Sequence, residues 1–285
     1  MDGKWKEWHA WSRSRQLMLD ECPRSFYYRY VKFYDMPYGD ILKATKRMLD
    51  QMTNTKFLLG SVVHEAIERQ FDQLSRGREI QGPDSALQYV TRVMSDIKYN
   101  PEKHVIEALN GKEISDAELS KIEEEAKRQV NVFFKEFFDF YKDLEIITHE
   151  DYCNIEIDGH KFYLMPDLIT KSSDGRVYVT DWKSDSTYSA EPNERQMKMY
   201  ILWALQKGHA DFIDLRAEVI FLDIGDSKEY ITTEEDLDSF KEELVENSEK
   251  LFEYIDSRSG EEDFERCEEE EVCFSCGFKS YCETN

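Results

Sequence analysis

Lys161-Phe-Tyr-Leu-Met-Pro-Asp-Leu-Ile-Thr170 and, beyond the turn residues Ser173-Asp-Gly175, Arg176-Val-Tyr-Val-Thr-Asp-Trp-Lys183 alternate apolar and polar side chains. That period of two fits strands with one buried face. Residues 146–157 alternate likewise and reach 161–170 through Asp158-Gly159, a dipeptide that accepts positive φ at both positions and so suits a two-residue hairpin turn. Three antiparallel strands are predicted. Helical spacing flanks them, over 57–74, 86–97 and 117–144 upstream and over 192–206 and 232–255 downstream, while 212–223 returns to a strand ending at Gly225-Asp226. In 117–144 the residues Val130, Phe133, Phe134, Phe137, Phe138 and Tyr141 recur every three or four positions, so one face is core. At the N-terminal side, 11–30 predicts a helix capped by Ser12 or Ser14, interrupted at Pro23, then a further helical turn and a loop with Pro37 and Gly39. The class is α/β: a mixed central sheet flanked by helices, with a helical insertion.

The chain of 285 residues can bury a sizeable core, and its net charge of −23 argues against whole-surface attraction to phosphate or anionic lipid. Contact with a nucleic acid must use a local basic patch. Residues 1–32 provide one, with Lys4, Lys6, Arg13, Arg15, Arg24, Arg29 and Lys32 against Asp2, Glu7, Asp20 and Glu21. No run of 18 apolar residues and no signal-peptide pattern is present, so no membrane association is expected and a cytoplasmic location is the default.

Asp167 lies near the end of one predicted strand and Asp181-Trp182-Lys183 at the end of the next. Residues two apart on a strand share a face, so Asp181 and Lys183 project together. Hard carboxylate oxygens suit Mg²⁺ or Mn²⁺, and a neighbouring ammonium can position water and offset developing charge, which is a design for phosphodiester hydrolysis. A surface Asp-x-Lys ion pair shares the pattern. Upstream, His64 and Glu68 stand one helical turn apart in Gly60-Ser-Val-Val-His-Glu-Ala-Ile-Glu68, and downstream Gln196 and Tyr200 do the same.

In order, G-x-x-x-H, P-D, D-x-K and Q-x-x-x-Y resemble the motifs of the PD-(D/E)XK nuclease superfamily, in its RecB-like branch, over roughly residues 11–282. The resemblance implies a restriction-endonuclease-like core, with a metal held by His64, Asp167, Asp181 and the Trp182 backbone carbonyl. Lys183 would be the catalytic lysine beside Asp167 and Asp181, and Gln196 and Tyr200 would hold DNA or order the site. Glu68 is a supporting residue only. Leu164 stands where relatives often have glycine, which touches the local backbone more than the ligand set. On this reading the chain is one integrated domain: 1–56 a helical segment, 57–145 a helical region with the motif histidine, 146–258 the nuclease core and 259–285 a cysteine segment.

Cys273-Phe-Ser-Cys276-Gly-Phe-Lys-Ser-Tyr-Cys282 sets three thiols in a C-x2-C-x5-C pattern that asks for a fourth. Cys22, in Glu-Cys-Pro-Arg-Ser-Phe-Tyr-Tyr28, is the leading candidate and Cys267 its competitor; spacing alone admits zinc. Cys153, on an alternating strand, reads as a buried apolar residue. An N-terminal C-P-R-x-F-Y-Y followed by a distant C-x2-C-x5-C is similar to the iron–sulfur nucleases of AddB and CRISPR-adaptation type. That similarity implies a [4Fe-4S] cluster on Cys22, Cys273, Cys276 and Cys282, stapling the N-terminal helix to the C-terminus, with Zn²⁺ the alternative. Arg24 and Arg29, with Tyr27 and Tyr28, would then line a single-strand path or pack in the core. The expected activity is DNA hydrolysis, as an exonuclease on single-stranded ends. No Walker A pattern is present, so processive action would need a helicase or another DNA-processing partner. A second reading, a catalytically minor or inactive module binding DNA ends or a protein, draws on the acidic charge.

Overall fold

A computed structural model describes residues 10–32, 41–80, 82–185 and 190–284. Lys4, Lys6, Pro37 and Gly39 lie outside these residues. The elements in chain order are β1 (Ala10–Trp11), α1 (Arg13–Glu21), α2 (Pro23–Phe26), α3 (Ile41–Asp50), α4 (Thr55–Ser75), α5 (Gly82–Tyr99), α6 (Pro101–His104), α7 (Ile106–Leu109), α8 (Asp116–Val132) and α9 (Phe138–Tyr141). There follow β2 (Glu145–Thr148), β3 (Cys153–Ile157), β4 (His160–Leu164), β5 (Leu168–Lys171), β6 (Val177–Lys183), α10 (Ala190–Gln206), β7 (Leu215–Phe221), β8 (Asp226–Glu229), α11 (Glu234–Asp256), α12 (Glu270–Phe274) and α13 (Lys279–Thr284).

Two of the predicted strands are each divided. Residues 146–157 become β2 and β3, and 161–170 become β4 and β5. Pro166 cannot donate to a ladder, and Glu150 adopts a left-handed φ of 48° that a strand cannot contain. The register survives the break, since Thr148 pairs with Ile169 on one side of it and Cys153 with Leu164 on the other. The Asp158-Gly159 turn forms as predicted, with φ of 49° and 82°. The long helix predicted over 117–144 is also interrupted, by a π-helical segment at Phe133–Phe137 between α8 and α9. The sequence reading did not anticipate β1, α3, α6, α7, β8, α12 or α13.

The chain forms two compact units. One comprises Leu59–Met94 and Ser120–Val245. Its sheet has the order β2-β5-β6-β7-β8, antiparallel throughout except for the parallel pair β6–β7, which α10 connects. The core gathers on Trp182 at the C-terminal end of β6. Its ring, 2% exposed, stacks on Phe71 of α4 at 6.2 Å and meets the edges of Phe133 and Tyr141 at 5.2 and 5.4 Å. Alternation along β6 turns Asp181 and Lys183 to the opposite face.

The other unit comprises Met1–Leu58, Ser95–Leu119 and Glu246–Asn285. Ser12 caps α1 by accepting from Arg15 N, and Pro23 begins α2 after the break at Cys22. Tyr28, Leu49, Met52 and Phe278 form its core, with Cys276 and Cys282 packed against them. Gly277 lies so close to Leu49 that an added Cβ would stand 3.2 Å from its Cδ2. Among the described residues no helix is long and apolar enough to cross a membrane.

Glu107, 3% exposed, fixes the start of α4: both carboxylate oxygens accept from Thr55 N at 3.1 Å, and Oε1 accepts from Thr55 Oγ1 at 2.7 Å. Glu107→Ala is expected to lower stability by about 1–2 kcal/mol, the cost of removing a helix cap. The midpoint of urea unfolding measures it, and an unchanged midpoint would remove Glu107 from this role.

Candidate active site

The site is built by strand register. Leu168 of β5 pairs with Thr180 of β6, and one step further places Asp167 opposite Asp181. On the other side of Asp167, the register kept by Thr148–Ile169 and Cys153–Leu164 puts Glu150 opposite it, and Glu150 N donates to Pro166 O at 2.9 Å. Neighbouring strands lie about 4.8 Å apart, so three carboxylates stand in a row across the sheet. Asp167 is 8% and Asp181 1% exposed.

Helix α4 brings His64 to this row. Its Nδ1 lies 3.5 Å from both Glu150 Oε1 and Asp167 Oδ2, and its Nε2 is 2.9 Å from the Trp182 carbonyl oxygen. Trp182 N in turn donates to Asp167 Oδ2 at 2.8 Å. One residue thus uses its ring to close the core and its peptide groups to orient two site residues. On the opposite side Lys183 Nζ is 2.7 Å from Asp181 Oδ2, and Gln196 on α10 accepts from Lys183 at 3.1 Å. The Gln196 amide donates to Asp181 Oδ1 at 2.9 Å and to Tyr200 Oη at 2.7 Å, and Tyr200 donates to the Met165 carbonyl at 2.9 Å. Tyr200 is 4% exposed, so this pair orders Asp181 and Lys183 rather than offering itself to a ligand.

The electrostatics are those of a site short of positive charge. Burial and the charge of Asp181 push the Asp167 carboxyl well above its ordinary value, against His64 and Lys183. Burial alone would lower the pKa of His64; Asp167, Glu150 and Asp181 outweigh it and raise it to about 9. Glu68, half-buried on α4, is likewise shifted upward by burial and by Glu150. The donor atoms of His64, Glu150 and Asp167 lie within 4.8 Å of one another. Carboxylate oxygens with one imidazole suit Mg²⁺ or Mn²⁺, and a divalent cation would relieve the crowding that protons otherwise relieve.

Every motif residue predicted from sequence, His64, Asp167, Asp181, Trp182, Lys183, Gln196 and Tyr200, therefore falls at one place. Glu150 was missed, because it reads as one position of an alternating strand. The signal was present: the Asp158-Gly159 hairpin sets the register and assigns Glu150 to Asp167.

The cysteines assemble in the other unit. Cys22, Cys273, Cys276, Cys282 and Cys267 line a cavity of about 180 Å³. Ser25 Oγ is 3.5 Å from Cys276 Sγ, and Asn110 Nδ2 clamps the loop by donating to Phe274 O at 2.8 Å and Cys276 O at 2.9 Å. Among the described residues no three of these thiols lie within 4.8 Å of one another. Cys153 is buried apart, with Sγ 4.0 Å from Thr148 Oγ1. Arg24, 8% exposed, pairs with Glu261 and donates to Phe264 O at 2.8 Å, and Arg29 pairs with Asp50. Tyr28 is fully buried and donates to Glu261, and Tyr27 packs on Phe264. These four residues of the expected strand path hold the unit together.

Glu150→Gln, which keeps the volume and removes the charge, is expected to weaken Mn²⁺ binding roughly tenfold. Electron paramagnetic resonance of free Mn²⁺ during a titration gives the affinity, and an unchanged value would exclude Glu150 from the metal set.

No curated protein matches the chain. The family model of the PD-(D/E)XK nuclease superfamily matches residues 10–283, a span that holds both the carboxylate row and the cysteine cavity. With that match over nearly its whole length, and with His64, Asp167, Asp181 and Lys183 gathered at one end of a mixed sheet, the chain belongs to the PD-(D/E)XK nuclease superfamily of metal-dependent nucleases.

Proposed function

We propose that the protein is a DNA exonuclease that hydrolyses phosphodiester bonds at single-stranded ends, with a [4Fe-4S] cluster on Cys22, Cys273, Cys276 and Cys282. The observation that carries the hydrolytic reading is the geometry of β6: Asp181 and Lys183 on one face, 2.7 Å apart, beside Asp167 and His64. A bound Mg²⁺ or Mn²⁺ would supply Lewis-acid activation of the phosphate and of the attacking water. His64, Asp167 and Asp181, with Glu150, would hold it. Lys183 sits where its ammonium can orient the water and meet charge developing on the phosphate, and Gln196 fixes its position from α10. Burial of Asp167 and Asp181 strengthens each of these interactions by excluding solvent. The chain carries no nucleotide-hydrolysing motor motif, so a helicase or other DNA-processing protein would supply single-stranded ends.

One point supports a cluster at the cysteines over zinc: the thiols line a cavity of about 180 Å³, larger than one ion needs. The cluster would tie α1 and α2 to α12 and α13 as a structural element.

Lys183→Ala and Asp181→Ala are each expected to reduce Mg²⁺-dependent release of nucleotides from end-labelled single-stranded DNA by a hundredfold or more, on the order of the effect of removing one preorganised charge-stabilising group. Circular dichroism should stay unchanged. Full activity in either variant overturns the site. Cys276→Ala is expected to lose iron, acid-labile sulfide and visible absorption from anaerobically purified protein and to lower its melting temperature. Wild-type protein containing zinc and no iron would replace the cluster by the zinc alternative.

A further inference from the structure

A single apolar side chain on a protein surface needs no explanation, whereas a contiguous group beside a site does. In the unit that carries the candidate active site, two aromatic rings are exposed among the described residues, Phe140 and Tyr152. Phe140 packs edge-on against Tyr141 and Tyr178 at 4.9 and 5.0 Å, and Tyr178 lies at the start of β6, the end of that strand away from Asp181 and Lys183. Tyr152 lies at the other end of the matter: it is 67% exposed, and its ring meets that of Tyr163 at 4.8 Å between centroids, inclined by 40°.

Strand register sets this group beside the carboxylate row. Asn154 pairs with Tyr163 and Cys153 with Leu164, so one step further brings Tyr152 opposite Met165, and two residues beyond them stand Glu150 and Asp167. Burial follows the same alternation: Cys153 and Leu164 are buried on one face, while Tyr152 and Met165, the latter 48% exposed, lie on the other. Two residues of extended chain span about 6.8 Å, the length of two steps between stacked bases. Hydrogen bonds fasten the same stretch to the site, since Tyr200 Oη donates to Met165 O and Glu150 N donates to Pro166 O, both at 2.9 Å. Lys161 Nζ stands 5.1 Å from the centroid of the Tyr163 ring and braces it.

Place decides what such a group takes. A phosphate held at the carboxylate row leaves its bases to the neighbouring surface, where an aromatic face offers stacking that every base accepts. Inside a duplex both faces of a base are already covered, whereas a single strand can give one to the protein. We propose that Tyr152, braced by Tyr163 and flanked by Met165, is a stacking platform for a base of the single DNA strand whose phosphate occupies the active site. This rests on the nuclease reading and gives its preference for single-stranded ends a physical cause.

The test measures binding of a short fluorescein-labelled oligo-dT by anisotropy, in Mg²⁺ and in a Lys183→Ala background to prevent cleavage. Tyr152→Ala is expected to weaken binding roughly tenfold, the effect of one lost base stack, and by the same factor at about 50 and 200 mM salt, because no phosphate contact is removed. Tyr152→Phe should bind as its parent does, since the ring and not the hydroxyl stacks. Oligonucleotides that each lack one base near an end complete a double-mutant cycle. At one position, loss of the base should weaken binding by the parent roughly tenfold and leave binding by Tyr152→Ala unchanged. Unaltered affinity in Tyr152→Ala, an equal loss in Tyr152→Phe, or a Tyr152→Ala effect that is the same for every abasic oligonucleotide overturns the platform and leaves the nuclease reading standing. Absence of binding by the parent also overturns the platform, and together with absence of cleavage by the wild type it overturns the nuclease reading.

Discussion

Three carboxylates, Asp181 on β6 with Asp167 just before β5 and Glu150 just after β2, are brought into a row by the register of the strands beside them, with Asp167 and Asp181 almost wholly buried. Like charges at strand spacing and out of water are costly, and much of the surrounding structure answers that cost. His64 is turned toward two of them from α4, Lys183 pairs with the third from β6 and Gln196 donates to it from α10, and the Trp182 peptide N–H supports Asp167. The remaining deficit of positive charge is what suits the row to a divalent cation. The backbone at Glu150 is held in the left-handed region at this same point, consistent with strain being tolerated where a side chain must face the site.

Trp182 couples the site to the hydrophobic core. Its indole is enclosed by Phe71, Phe133 and Tyr141, and its carbonyl and N–H reach His64 and Asp167. Phe71 and His64 belong to the same helix, so the contact that fixes α4 on the sheet also sets the distance of the histidine from the carboxylates. A precise arrangement is obtained from packing forces that are individually undirected.

The acidic composition is distributed unevenly in its consequences. In the site-bearing unit Arg76, Arg128, Arg195 and Arg216 meet carboxylates, while Arg69 and Arg92 lie over the ring of Tyr89. In the other unit the pairing takes a different form: Arg24, Lys32 and Tyr28 all converge on Glu261, binding the N-terminal helical segment to the C-terminal one beside the cysteines.

The alternation of 146–183 by itself determined an antiparallel strand set, the Asp158-Gly159 turn and the shared face of Asp181 and Lys183, because side chains on a strand alternate strictly and a two-residue turn admits few sequences. The helical spacing of His64 with Glu68 and of Gln196 with Tyr200 was legible for the same local reason. Tertiary structure decided the rest. Only pairing between strands set Glu150 beside Asp167, because a residue's partner across a sheet depends on register and not on its own neighbours. Only packing showed that Arg24 meets Glu261 and Arg29 meets Asp50 while Arg69 and Arg92 lie over Tyr89, because a sequence records how many ionic groups a chain has and the folded chain chooses which of them meet.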